Sequence, residues 1–350
     1  MTIAIKYGSL VDEPLVDDDG NFAIKGSGGA LVERLLKIFP GSCLVGYQDQ
    51  RANGFTSLDP VSDLVINLDV MDSVGTFQVL HRNGAEPKIM NLQWLPPRHY
   101  HHRVNFAALG LSYALFPTLC AGERTASEVT ELCHRWGSPA IRERAPISWF
   151  YPGVHDDLVQ AHRVAEVPTV LYPTIHVSDD KQPKVFMSIV SQVAGRMKLR
   201  MEACLSEREL VSMAAMRMSS HSWTHVGPVF GRRENYWESL AGMTAFLSTA
   251  REEAYSQEYL EALLAGVIGV LPRREWVKGV VPDAYPYLYG SEEEAADMLE
   301  EVLRDPQGAQ ARIDEASGGS IHDWILTHHA RAAGNKAIYE KARDWFPEVF

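Results

Sequence analysis

The sequence predicts an α/β protein made of two Rossmann-like domains, each built on a parallel sheet, and three observations lead there. The chain has 350 residues, enough for two domains of ordinary size. Short apolar runs alternate with stretches of helical spacing, the order that builds parallel sheets with crossover helices. The sharpest signal is residues 243–272, MTAFLSTAREEAYSQEYLEALLAGVIGVLP, a strand–loop–helix–strand unit with acidic residues in its loop.

Composition narrows the function classes. Apolar residues make up 46% and charged residues 22%, the balance of a soluble globular enzyme. No apolar run reaches the ~20 residues of a membrane span. The opening MTIAIKYGSL is strand-like, without a signal-peptide pattern, so a cytoplasmic location is expected. Cys43, Cys120, Cys133 and Cys204 are scattered without a CxxC pair and read as buried free thiols in a reducing compartment, not as a disulfide frame or zinc site. The net charge of −12 argues against broad electrostatic binding to nucleic acid while leaving room for a local basic groove. The chain shows no solenoid repeat and no low-complexity segment.

In the first half, residues 3–7 form the first expected strand. Gly26-Ser27-Gly28-Gly29 then reads as a glycine-rich turn feeding a helix over 30–37. Such a turn lets backbone N–H groups approach an anion or a sugar, and equally serves as loop punctuation. Further strands are expected at 43–47, 64–68 and 88–92. Asp69 and Asp72 follow the second of these, a position suited to a ligand site or to solvated loop charge. Residues 96–103, PPRHYHHR, concentrate basic and imidazole groups beside an aromatic, which suits gripping phosphate or stacking a base, and equally an exposed polar loop. Neighbouring His101 and His102 diverge and make a poor metal pair. Residues 114–118 suggest a strand, and 123–135 an amphipathic helix with Val129, Leu132 and Cys133 inward.

The second half opens with a strand at 167–172, a polar turn at 179–184 and a helix at 185–193. A strand at 199–203 and a helix at 207–217 follow, with Met213, Met216 and Met218 read as core filler. In the central unit, 243–249 is a buried strand, and Tyr259, Leu260, Leu263 and Leu264 mark one face of a helix. Gly266 ends that helix and 267–271 is a second buried strand. Glu253 lies in the loop and Glu261 about one turn into the helix, so both approach a ligand lying across the helix N-terminus. A carboxylate accepts two hydrogen bonds from adjacent hydroxyls, and the N–H groups near Ser256 and Gln257 suit a diphosphate. The alternative is that Thr249 and Glu252 form a capping box. Glu292, Glu293 and Glu294 open a further helix after Ser291, and helices continue to Phe350.

The central segment resembles the donor-binding motif of retaining GT-B glycosyltransferases (the family 4-like group), nearest the tRNA-queuosine mannosyltransferases. The match runs through Ser248-Thr249-Ala250, Glu252-Glu253-Ala254, Ser256 and Glu261-Ala262, with Glu252 where His is usual and Ser256 where Gly is usual. Asp180-Lys181-Gln182-Pro183 matches the group's polar turn, and His176 stands where the group has Arg. Residues 225–227 resemble its His-x-Gly turn, and Arg273-Arg274-Glu275-Trp276 replaces its Asn-Arg-Leu-Tyr-Pro stretch.

The resemblance implies a GT-B fold, two Rossmann-like domains facing a central cleft. Residues 1–153 would be the acceptor-side domain, 154–335 the nucleotide-sugar-binding domain, and 336–350 a helix crossing back to the first. It implies catalytic roles for Glu253, which orients the donor sugar, Lys181, which neutralises the diphosphate, and His176. Donor contacts fall on Glu261 (to the ribose), Tyr255, Ser256, Gln257, Gly227 beside the base, and Arg273, with Arg274 as the alternative, as a source of the positive charge missing at His176. Acceptor-side residues are Gly28, Gly29, Arg98, His99 and Tyr100. The implied reaction is retaining hexosyl transfer from a UDP- or GDP-linked sugar, with no cofactor and no metal. A modified nucleic-acid base is the preferred acceptor, either a hydroxymethylated pyrimidine in viral DNA or queuosine in tRNA; a small molecule or glycan stays open. Readings of other classes are an inactive sugar-nucleotide-binding module and a sugar-nucleotide epimerase.

Overall fold

The computed structural model describes residues 2–7, 26–45, 58–81, 85–99, 102–141, 145–154, 156–253 and 255–350. The chain divides into two units, one of Met1–Pro152 with Ala332–Phe350, the other of Gly153–Arg331.

The first unit carries β1 (Ile3–Lys6), β2 (Cys43–Val45), β3 (Leu64–Asn67), β4 (Lys88–Gln93), β5 (Thr118–Ala121) and β6 (Ile147–Phe150) in one sheet of order β2-β1-β3-β4-β5-β6. Every neighbouring pair is parallel. β3 and β5 are buried along their whole length, as strands covered by helices on both faces must be. Beneath this sheet's C-terminal edge runs a polar network. Lys6 is fully buried, 3.1 Å from Asp72 and 3.9 Å from Asp69. Asn67 donates to Ser73 (2.8 Å), which donates to Asn91 (2.6 Å). Asp69 and Asp72 are thus spent on neutralising a buried ammonium, and burial raises the Asp69 carboxyl against the pull of Lys6.

The second unit carries β7 (Thr169–Tyr172), β8 (Arg200–Leu205), β9 (Thr224–Pro228), β10 (Ala245–Leu247), β11 (Ile268–Pro272) and β12 (Leu288–Tyr289) in the order β12-β11-β10-β7-β8-β9. All its pairs are parallel too. The chain winds outward from β7 to β9, returns, and winds the other way from β10 to β12. The order therefore reverses between β7 and β10, and ligands of such sheets bind beyond the strand ends at that reversal.

Several elements differ from the sequence expectation. Gly28 and Gly29 lie inside the helix Gly26–Ile38, not in a turn before it. The first turn of a helix has N–H groups without intrahelical acceptors, so glycine is tolerated there. Residues 114 and 115 end the helix Arg103–Leu115, and the strand starts only at Thr118; an apolar run alone does not tell a buried helix end from a strand, and Pro117 marks the break. His225–Val229 is not a turn, because 224–228 form β9 and Gly227 sits within it. The helix expected over 207–217 is two short helices, Glu207–Leu210 and Met213–Met218, because the Ser212 hydroxyl caps the second by accepting from the Ala215 N–H at 3.1 Å. Met218 is buried, but Met213 and Met216 are 65% and 56% exposed and fill no core.

The four cysteines are free, with Cys120 and Cys133 buried and Cys43 and Cys204 half-buried. Among the described residues no helix is long and apolar enough to cross a membrane. Gly153 takes φ +86°, and a Cβ there would lie 2.5 Å from the Arg331 Cα. Gly153→Ala is therefore expected to lower stability by more than about 1 kcal/mol, read as a lower urea midpoint at unchanged slope.

Candidate functional site

The loops after β7 and β10 flank the reversal point, and backbone bonds tie them together. The Thr249 hydroxyl donates to the Lys181 carbonyl at 2.7 Å, and the Arg251 N–H donates to the Asp180 carbonyl at 2.8 Å. Thr249 thus holds the polar turn in place and caps no helix, which removes the capping-box alternative. Gln182 sits at φ +50° and delivers the chain straight into the helix Pro183–Ala194. This staple places Lys181 against Glu253, and the two form an ion pair whose side chains are 18% and 12% exposed. The Tyr259 hydroxyl donates to the same Glu253 oxygen at 2.7 Å and accepts from the Ser248 hydroxyl at 3.1 Å.

Glu261 lies one turn further along, in the helix Gln257–Leu264, and is only 1% exposed. It is ion-paired with Arg233, the first residue of the helix Arg233–Leu240, and accepts from the Gln257 side-chain amide at 2.9 Å. Burial raises its carboxyl, while Arg233, Gln257 and Tyr236 pull it back. Ser256 holds the N-cap position of the Gln257–Leu264 helix, but its hydroxyl makes no cap bond. That hydroxyl is buried and has no hydrogen-bond partner among the described residues, while at the helix start beside it the Gln257 N–H donates to the Tyr255 carbonyl and the Tyr259 and Leu260 N–H groups to the Ser256 carbonyl, each at 3.1 Å.

Two further residues join this group. Glu258 keeps solvent-exposed surface, yet protein surrounds its carboxyl closely, and this crowding is the main reason its pKa rises to about 6. The charges of Glu253 and Glu261 push the same way and Lys181 opposes, so all four side chains share one electrostatic neighbourhood. Tyr236 lies under the Arg233 guanidinium, 4.9 Å from it, and lines a small cavity of about 40 Å³ with Ile175, Val229, Phe230 and Glu258. Glu258 and Glu261 stand three apart on one helix, a spacing that puts both on one face and could have flagged Glu258 in the sequence.

The raised Glu258 carboxyl has a stability consequence. Its ordinary value is 4.5 and its folded value about 6, so the folded protein holds a proton that the unfolded chain releases between those limits. Stability therefore falls as pH rises through that window. Glu258→Gln is expected to raise Tm relative to the parent above pH ~6 and to leave it unchanged below pH ~4.5.

The other candidate residues are placed as follows. The Tyr255 hydroxyl accepts from the Gly153 N–H at 3.1 Å and lies 3.3 Å from Nδ1 of His329, a buried imidazole driven down to about 4 by burial and by His328. His176 Nδ1 is 3.9 Å from Glu209. The Arg273 guanidinium donates to the Leu288 carbonyl at 3.1 Å, along β12. In the first unit, Arg98 pairs with Glu128 and lines a groove of about 420 Å³ with Arg103, Phe106 and Trp136. His99 ends the short 3-10 turn Pro97–His99, and Tyr100 lies outside the described residues. His102 caps the following helix, its ring accepting from the Val104 N–H at 3.3 Å. A larger cavity of about 780 Å³ adjoins the polar turn and is lined by Asp179, Gln182, Lys184, Met213, Arg217 and Arg251. Among the described residues no group of three His, Cys, Asp or Glu side chains could hold a metal ion.

No protein-family model matches this chain, and no curated protein matches it in sequence. Solved structures do match in shape. Anabaena HepE in complex with UDP and glucose superposes with a TM-score of 0.68 at 12% identity, over 98% of this chain and 100% of that one. Sucrose-phosphate synthase from Thermosynechococcus elongatus gives 0.65 at 10% identity, over 86% and 77%. This is the GT-B fold. A glycosyltransferase from Rickettsia africae gives 0.64 at 11% identity, over 98% of each chain. At these identities the GT-B likeness is one of architecture, with two Rossmann-like parallel sheets.

Proposed function

We propose that the protein is a retaining GT-B glycosyltransferase that transfers a hexosyl group from a UDP- or GDP-linked sugar to a hydroxyl acceptor in the cytoplasm. The observation that carries this reading is the cluster at the β7–β10 reversal. Lys181 and Glu253 are paired there beside the start of the Gln257–Leu264 helix, where the Ser256 hydroxyl is uncommitted and Glu261 stands one turn on. Solved structures of the same fold include HepE with UDP-glucose bound, which supports a sugar nucleotide as the donor class.

In this reading the diphosphate lies against the Ser256 hydroxyl and the N–H groups near Ser256 and Gln257, favoured by the helix dipole, and the Gln257 N–H turns to it from the Tyr255 carbonyl. Lys181 stabilises the negative charge that grows on the departing phosphate. Glu253 orients the donor sugar through its hydroxyls, and Glu261 holds the ribose. Gly227 and Tyr255 are assigned to the base and to the support of the loop, with His176 and Arg273 at the margin of the diphosphate. The bond between the anomeric carbon and the β-phosphate oxygen breaks, and its electron pair leaves with the nucleoside diphosphate. The acceptor oxygen bonds to the anomeric carbon on the same face, and its proton passes to the leaving phosphate. The protein's share is positioning and charge stabilisation, with no cofactor and no metal.

For the acceptor we propose a modified nucleic-acid base bearing a hydroxyl, in DNA or tRNA. Arg98, Arg103 and Trp136 share one groove, and the segment Arg98-His99-Tyr100 adds imidazole and aromatic groups in sequence, a composition suited to phosphate and base. Gly28 and Gly29 offer the N–H groups of a first helical turn to the same acceptor.

The test is incubation with radiolabelled UDP- and GDP-hexoses, with and without acceptor. Without acceptor, slow release of nucleoside diphosphate and free sugar is expected; with acceptor, nucleoside diphosphate release is faster and the labelled sugar appears on the acceptor. Binding without any release points to a binding module, and an epimerised sugar formed without acceptor points to an epimerase.

A further inference from the structure

We propose that Arg233 is a mobile second cation of the donor site, resting on Glu261 while the site is empty and moving to the diphosphate when a nucleotide binds. This rests on the donor-site reading above and says how that site recognises its ligand.

The geometry of Glu261 requires a partner. Its carboxylate is 1% exposed, and a buried charge without a counter-ion is costly. Arg233 supplies that counter-ion in the empty site, and the Gln257 amide adds one hydrogen bond at 2.9 Å. The Arg233 side chain itself remains 45% exposed and lies over the Tyr236 ring at 4.9 Å, so it has open space beside it and an aromatic surface to travel across. A planar guanidinium binds phosphate oxygens in pairs, and a diphosphate carries more charge than one carboxylate. In the empty site Lys181 is paired with Glu253 and Arg273 donates to the Leu288 carbonyl, so in this reading Arg233 adds a second charge beside that of Lys181.

Moving Arg233 strips Glu261 of its partner, and the cost is offset only if other donors take its place. Two adjacent ribose hydroxyls do so. Phosphate and ribose recognition are therefore one linked event. Pyrophosphate alone would leave Glu261 without a counter-ion, held only by the Gln257 amide and the Tyr236 hydroxyl, and a nucleoside alone would find Glu261 already paired with Arg233. A nucleoside diphosphate makes both exchanges at once, so its affinity exceeds what the two fragments imply.

The test is calorimetric titration of UDP or GDP, whichever the wild type binds, beside the matching nucleoside, on wild type, Arg233→Gln and Arg233→Lys. The glutamine keeps a donor for Glu261 and loses the charge; the lysine keeps the charge and loses the fork. Arg233→Gln is expected to weaken the diphosphate more than tenfold and the nucleoside less than threefold, with Arg233→Lys between. Equal losses for both ligands, or an unchanged diphosphate, would overturn the proposal. If Arg233→Gln does not fold, the same comparison of losses is read from Arg233→Lys. Failure of the wild type to bind any nucleoside diphosphate would instead overturn the donor-site reading.

Discussion

Glu261→Gln is expected to weaken nucleoside diphosphate binding by about thirtyfold to a hundredfold while leaving the fold intact. The carboxylate would accept two charge-assisted bonds from ribose hydroxyls, and removing its charge costs about 2–3 kcal/mol across the pair. Glutamine has nearly the same volume, so the buried site keeps its packing. Arg233 loses its anionic partner but is 45% exposed and turns to water. Calorimetry reports the affinity and thermal unfolding reports the fold. A Tm within a few degrees of the parent together with unchanged affinity would remove Glu261 from the site.

Lys181→Ala is expected to lower kcat by about a hundredfold to a thousandfold, with a smaller change in donor KM. The ammonium would act mainly on charge that appears as the diphosphate leaves, and losing one such stabilising group carries an effect of that order. The fold should survive, because Tyr259 still donates to Glu253 at 2.7 Å and Thr249 holds the turn through the Lys181 backbone carbonyl, which alanine retains. Steady-state kinetics with a sugar nucleotide measure it. A loss confined to KM would assign Lys181 to ground-state binding alone.

The parts of this molecule legible in the sequence are those whose local signals agree. Short apolar runs at 64–66 and 267–271, rich in Val and Ile and flanked by Asp63 and Gly266, read as buried parallel strands, and Gly266, at φ +83°, ends its helix where a left-handed residue is needed. The acids at 253 and 261 could be placed because strand, loop and helix follow one another without a gap. The polar turn at 179–182 was recognisable as a unit, but its attachment was not. The bond from Thr249 to the Lys181 carbonyl joins residues 68 positions apart, and nothing local announces it. Arg232-Arg233-Glu234-Asn235-Tyr236 resembles the group's helix start, and the helix does begin at Arg233, but the contact of Arg233 with Glu261 was hidden for the same reason. At the start of a helix a basic residue reads as solvated, and only the folded sheet brings it to Glu261. The methionines at 213 and 216 misled in the opposite direction, since an apolar side chain in a short capped helix is free to face outward.

A crystal structure of the protein soaked with UDP and with GDP tests the central claim most directly. The account predicts a diphosphate at Ser256 and the first N–H groups of the Gln257–Leu264 helix, with Lys181 on the phosphate and the ribose hydroxyls on Glu261. A nucleotide bound elsewhere, with the Lys181–Glu253 and Arg233–Glu261 pairs undisturbed, would contradict it.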